Sequence, residues 1–436
     1  MISHESISSC QPTSTTFELL ESSVRSYSRT FPKVFAKAQG ASLYAEDGDE
    51  YLDFLMGCSS LNYGHNHPAL KEALVNYIAG DGLAHGLDLY SESKEQFLRE
   101  FYDTVLRPRD LDYVIQFPGP TGANAVEAAL KLARKITGRQ NVIAFTNGFH
   151  GVTLGALACT GNVHHRGGAG IELGGISRMP YDGYFGKDVN TADYLEKMLS
   201  DPSSGVDVPA AIILETVQGE GGLNTASAAW LRQVARIARR HGALLIVDDV
   251  QAGVGRTGPF FSFERAGIKP DIVTMAKSVS GYGLPMALVL IRREYDQWAP
   301  GEHNGTFRGN CHAFVTATAA LRAFWRDEGL EQCTEARTHQ LHEQLTSIAR
   351  KHGEDRIGLR GRSMMRGLRF ESGERAAAVT KIAFKHGLII ETSGPNDEVV
   401  KCLAPLTISE QEFDRGLAIL ESAVDEAFKS AQKDAA

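Results

Sequence analysis

The sequence predicts an α/β protein with a mainly parallel central sheet, helices on both of its faces, and a smaller α+β unit drawn from the two chain ends. Three observations carry this. The middle of the chain holds six short apolar runs: YVIQF at 113–117, VIAFT at 142–146, AAIIL at 210–214, ALLIV at 243–247, IVTM at 272–275 and ALVLI at 287–291. Several are continuously apolar and do not alternate, as strands covered on both faces require. Between them lie helical stretches, such as 125–137 and 229–241, with apolar residues recurring at spacings of three and four. Strand, helix, strand in this order gives a mainly parallel sheet.

The ends build the second unit. Residues 1–16 are rich in Ser and Thr and read as a loose tail, lacking the basic start and apolar stretch of a signal peptide. Residues 17–65 hold one helix and a hairpin pattern between Leu43 and Asp53, with Asp47-Gly48 at its turn. Residues 66–311 form the large domain. From 312 to 436 helices alternate with short strands, including 363–370 and 387–390.

Composition narrows the function. The chain has 436 residues, 43% of them apolar, and a formal net charge of -8. It therefore buries large cores and lacks the basic balance that nucleic-acid binding uses. No apolar run approaches the roughly 18 residues of a membrane span. Six scattered cysteines without C-x-x-C spacing read as free thiols in a reducing compartment, so the expected location is cytoplasmic. His65, His67, His164 and His165 have no third partner at metal-ligand spacing, and no metal is expected.

Open α/β sheets bind ligands outside the carboxyl ends of their strands, so the residues just past each strand matter. The first strand leads into PGPTGAN at 118–124 and a helix, where free N–H groups suit a phosphate; a plain tight turn capped by Thr121 or Asn124 is the alternative. The second ends in GFHG at 148–151, where Phe149 can stack on a flat ring or pack in the core. The third delivers ETVQGEGG at 215–222, and Glu215 and Glu220 read either as ligand contacts or as a solvated loop. The fourth ends in Asp248, a carboxylate that is costly behind a buried strand unless paired. The fifth ends in Lys277, and a desolvated lysine forms Schiff bases with carbonyls. A phosphate cradle, an aromatic, an acid and a lysine thus share one rim. GVGRTG at 253–258 spells the dinucleotide fingerprint, but four residues separate it from the strand and no helix pattern comes after it, so that reading is rejected.

With these residues in view, IVDDVQAGVGRTG at 246–258 followed by Lys277 resembles the signature of the class III (ω-type) aminotransferases of the fold-type I pyridoxal-phosphate group. TGANAVEAALKLAR at 121–134, FHG at 149–151, ETVQGEGG at 215–222 and GTF at 305–307 match its other blocks in order. The resemblance implies pyridoxal 5'-phosphate as cofactor, with Lys277 as its Schiff-base and proton-shuttling lysine. It further implies that Asp248 holds the pyridine nitrogen protonated, Gln251 faces the phenolic oxygen and Phe149 stacks on the ring. Gly122 and Ala123 would give N–H groups to the phosphate, and Thr306 would reach it from a partner subunit, which requires a homodimer or higher homo-oligomer.

Further stretches, VRSYSRTFP at 24–32, QFPGPTG at 116–122, HGLD at 85–88, MPYDGY at 179–184 and PGEHNGTFRGN at 300–310, resemble the branch that moves an amino group from glutamate to the terminal carbon of aspartate 4-semialdehyde, the step opening ectoine synthesis. Two departures stand out. Asp249 replaces the usual glutamate of the signature, and Lys401 stands where many relatives carry a carboxylate-clamping arginine masked by the residue at Glu220. A lysine lacks the arginine fork, so Arg25, Arg29, Arg308 and Lys401 all become candidates for holding substrate carboxylates. Competing expectations are another ω-aminotransferase of the ornithine or 4-aminobutyrate type, an aminomutase or racemase, and a non-catalytic binding protein.

Overall fold

The computed structural model describes residues 14–434; most of the expected N-terminal tail, residues 1–13, lies outside them, while Ser14 begins a helix, Ser14–Leu20. Seven strands form the central sheet: β1 (Tyr113–Gln116), β2 (Val142–Phe145), β3 (Ile176–Met179), β4 (Ala211–Leu214), β5 (Leu244–Asp248), β6 (Ile272–Met275) and β7 (Leu288–Arg292). Their order is β1-β7-β6-β5-β4-β2-β3, with β7 antiparallel to both neighbours and β5 parallel to β4 and β6. Every residue of β2, β4, β5 and β6 is buried, which explains their unbroken apolar runs. Each Ile, Leu or Val so covered contributes roughly 1.5–3 kcal/mol.

The flanking helices carry their own start and stop signals. Helix Gly122–Thr137 is capped by Thr121, whose hydroxyl accepts from Asn124 N at 3.3 Å, and ends at left-handed Gly138. Helix Ala228–His241 is capped by Ser227, carries Arg239, Arg240 and His241 in its last turn, and ends at left-handed Gly242. Its Trp230, Leu231, Val234, Ile237 and Ala238 turn inward to the core. Between β5 and β6 there is no long helix. The Gly253–258 stretch instead coils around Arg256, whose buried guanidinium donates to Ser59 Oγ, Asn62 Oδ1, Met364 O and Ala404 O. The apparent fingerprint is thus a joint between chain segments and opens no helix.

Both chain ends meet in a second sheet. Strands Phe35–Gln39, Ser42–Ala45 and Glu50–Asp53 run antiparallel in turn, and Leu388–Ile389 adds itself parallel to the third. A further antiparallel sheet joins Gly358–Arg362, Met365–Arg369, Val399–Cys402 and Glu391–Ser393 in that order. Helix Cys311–Phe324 packs on helices Pro68–Ala79 and Glu92–Phe101, while helices Gly373–Lys385 and Glu410–Asp434 pack together. Among the described residues no helix is long and apolar enough to cross a membrane.

Candidate active site

The carboxyl ends of β1, β2, β4, β5 and β6 converge on a cavity of about 480 Å³, lined among others by Gly122, Ala123, Phe149, His150, Glu215, Glu220, Asp248, Gln251 and Lys277. Sequence order is thereby converted into a ring of chemistry, because adjacent parallel strands deliver their last residues side by side.

Asp248 closes β5, fully within the core, and is paired. Its Oδ2 lies 2.8 Å from His150 Nδ1, and its Oδ1 accepts from Thr274 Oγ1 at 3.1 Å and from Val250 N at 3.2 Å. His150 is equally buried. Burial alone disfavours its charge, but the hydrogen bond and field of Asp248 outweigh this and raise its pKa. His150 was not singled out by the strand-end reading, although the FHG block contained it; its signal is a polar ring beside a strand end that must bury a carboxylate.

Lys277 follows β6 with φ +54°, a left-handed conformation that costs a non-glycine residue about 1–3 kcal/mol. The strain turns the chain sharply at the strand end. Among the described residues no acceptor hydrogen-bonds its ammonium and no carboxylate pairs with it within 4 Å, yet it lines the cavity.

Glu215 is buried, and its carboxylate accepts from Phe149 N at 3.0 Å and Gly219 N at 3.1 Å. Burial pushes its pKa up to about 7, against the opposing pull of His150. It braces Phe149, whose ring lies half-exposed on the cavity, instead of standing in a solvated loop. Gln251 donates to Glu220 Oε1 at 3.0 Å and to Cys58 O at 3.3 Å, and its buried Oε1 has no partner. Asp249 is buried too; its Oδ2 accepts from Ser262 N at 3.2 Å, its Oδ1 has no partner, and burial pushes its pKa up to about 7.

The substrate candidates separate. Lys401 is fully buried, with Nζ 2.9 Å from Glu220 Oε1 and 3.0 Å from Glu391 Oε1. Burial raises the Glu220 pKa, but Lys401 and Lys277 outweigh it and hold the acid at about 2. Arg25 and Arg29 do not reach the cavity: Arg25 donates to Glu21 O and Ser22 O, and Arg29 to Ser23 O, because their short N-terminal turns need those caps. Arg308 pairs with Asp88, also away from the cavity. Thr306 is exposed in the turn Thr306–Arg308 and lies outside this chain's cavity. Tyr27, Cys58 and Glu391, which the sequence reading passed over, surround Lys401 instead. Glu391 carried the same signal as Asp248, an acid directly after an apolar strand, LII at 388–390.

Pyridoxal phosphate fits these residues. Gly122 and Ala123 open the helix, where backbone N–H groups lack intrahelical partners. A Cβ on Gly122 would stand 2.9 Å from Val250 Cγ1, so a side chain there would crowd the cradle. A lysine without a partner among the described residues, a carboxylate with an imidazole behind it, a partly exposed aromatic and an orphaned amide oxygen complete the donor set.

The comparisons agree. The family model for aminotransferase class-III matches residues 24–424. A diaminobutyrate–2-oxoglutarate transaminase of Nocardia farcinica is 57% identical over 411 residues, 94% of this chain and 93% of that protein. The enzyme of that name from Vibrio cholerae is 57% identical over 405 residues, 93% of this chain and 98% of its own. A solved ornithine aminotransferase of Toxoplasma gondii, described as having partial occupancy of PLP at its active site, superposes with a TM-score of 0.82 at 26% identity, over 96% of this chain and 95% of its own. This chain belongs to the class III aminotransferase family, whose cofactor is pyridoxal phosphate.

Proposed function

We propose that the chain transfers the amino group of L-glutamate to L-aspartate 4-semialdehyde, giving 2-oxoglutarate and L-2,4-diaminobutyrate in two half-reactions. The observation that carries this reading is a lysine and a paired carboxylate at the ends of adjacent strands, in a chain more than half identical to enzymes named for that exchange.

The bound cofactor supplies an electron sink that lets a proton leave the carbon bearing the amine. The rest is the work of this chain. Lys277, without a partner among the described residues, would anchor the cofactor and serve as the base that takes up and returns that proton. Asp248, supported by His150, would keep the ring nitrogen protonated. Phe149 would pack on the ring, Gln251 would meet its phenolic oxygen, and the N–H groups of Gly122 and Ala123 would hold the phosphate. Glu220 stands between the cavity and Lys401, so a substrate carboxylate reaches Lys401 only when Glu220 turns aside.

The protein acts as a homodimer in the cytoplasm, at the step opening ectoine synthesis, with Thr306 completing the phosphate site of the neighbouring subunit. Segments 83–90 and 305–311 lie side by side through the Gly86 N to Gly309 O bond and expose Leu83, Leu87, Leu89, Tyr90 and Phe307. Such an apolar patch favours burial against a second copy. The division into 17–65, 66–311 and 312–436 stands on the same footing.

The test is steady-state transfer from 2,4-diaminobutyrate, ornithine or 4-aminobutyrate to 2-oxoglutarate, with products identified by mass. Diaminobutyrate is expected to give the highest kcat/KM, with loss of its terminal amine. A higher value for either rival would move the substrate assignment, and absence of any keto or aldehyde product would favour an isomerase.

A further inference from the structure

Lys401 is held by two carboxylates, and they differ in kind. Glu220 comes from the glycine-rich loop, lines the cavity and leaves 31% of its side chain exposed. Glu391 leaves 7% exposed and sits directly across the strand pair from Lys401 in antiparallel register. Its Oε2 accepts from the Tyr27 hydroxyl at 3.1 Å and from Cys58 Sγ at 3.7 Å, while its Oε1, 3.0 Å from Lys401 Nζ, makes no aligned hydrogen bond. One counter-ion stands on a loop at the cavity; the other is built into the sheet.

The charges follow from this. With Glu220 in place, two acids face one ammonium, and the group is negative overall. When Glu220 turns aside, Lys401 and Glu391 form a neutral pair. A carboxylate arriving beside the reacting amine then meets only a dipole, and a lysine offers no second N–H fork with which to hold both partners. A substrate whose reacting amine is terminal carries no carboxylate at that carbon and asks nothing of Lys401.

We propose that Glu391 is a specificity-determining residue, a fixed second counter-ion that weakens the grip of Lys401 on α-carboxylates and so tilts the enzyme toward terminal amines. The inference rests on the aminotransferase reading above, with glutamate as the α-amino donor. Burial raises the Glu391 pKa and Lys401 opposes the rise.

The experiment compares wild-type holoenzyme with Glu391→Gln and Glu391→Asp. The glutamate half-reaction is followed alone, through bleaching of the cofactor absorbance, and terminal-amine transfer is followed separately with diaminobutyrate. The glutamine variant is expected to lower the apparent KM for glutamate at least fivefold, while the terminal-amine kcat/KM stays within about twofold or falls. The aspartate variant, which keeps the charge, should remain within about twofold of wild type in both. A glutamate KM that rises or does not move in folded Glu391→Gln overturns the proposal, since that is what loss of a merely structural support for Lys401 would give. Should that variant not fold, Lys401→Arg decides: a fork can hold Glu391 and a substrate together, so the glutamate KM falls at least fivefold, and an unchanged value overturns it. Because the glutamate arm needs no acceptor, it is read even if diaminobutyrate proves a poor substrate.

Discussion

Replacing Glu215 by glutamine should shift stability in the variant's favour as pH rises from acid to mildly alkaline solution. Glu215 sits behind Phe149 with its carboxylate on two backbone N–H groups, and burial lifts its pKa from 4.5 to about 7. The folded chain therefore holds this proton more tightly than the unfolded chain does. Its contribution to stability is full below pH 4.5 and is lost as pH rises to about 7. A displacement of roughly 2.5 units at about 1.4 kcal/mol each amounts to about 3 kcal/mol. Glutamine carries no titrating proton and so escapes the loss, at the fixed cost of one backbone N–H bond that its amide nitrogen cannot accept. At about 2.1 cal/mol/K per residue, a chain of this length has an unfolding entropy near 0.9 kcal/mol/K. The melting temperature of the glutamine variant relative to wild type should thus be about 3 °C higher at pH 8 than at pH 4.5, by calorimetry at one scan rate. Asp249, also pushed up to about 7, titrates in both proteins and cancels. A difference that does not change with pH, or that shifts against the variant as pH rises, would refute the reasoning.

Two further substitutions probe the site and its frame. Asp248→Asn leaves His150 without its counter-ion, and should lower kcat at least about a hundredfold while cofactor is still bound, as loss of a preorganised charge does; a variant within tenfold of wild-type kcat would contradict the role given to Asp248. Arg256→Met leaves the carbonyls of Met364 and Ala404 without this donor, while Ser59 Oγ and Asn62 Oδ1 keep their own 2.9 Å bond. At about 1–3 kcal/mol for each of these two groups, the melting temperature should fall by at least about 2 °C, and an unchanged melting temperature would show the joint to be dispensable.

The sheet was legible because its central strands are buried on both faces. Runs such as IVTM and ALLIV have no other physical reading once helices flank them, and the observed strands start and stop within a residue of the apolar runs. Strand β3 escaped notice. Its ISRM sequence lies at the sheet edge, and Arg178 reaches out of it to Ala158 O and Thr160 O, so no apolar run announces it. The same contrast governs the cavity. Residues at strand ends are predictable neighbours, because parallel pairing fixes which tips adjoin. The Lys401 cluster is not, since Tyr27, Cys58 and Glu220 come from separate stretches that meet the paired strands of Glu391 and Lys401 only through tertiary packing. Charge type alone suggested Arg25, Arg29 and Arg308 as equals of Lys401, and it carries no information on where each points.

The central claim is that Lys277 carries the cofactor. Reduction of the holoenzyme with borohydride, followed by digestion and peptide mass mapping, fixes the cofactor to whichever amine holds it. The account predicts the added phosphopyridoxyl mass on Lys277 and none on that peptide from Lys277→Ala. The same mass on another lysine of the wild-type protein, or on no peptide at all, would contradict it.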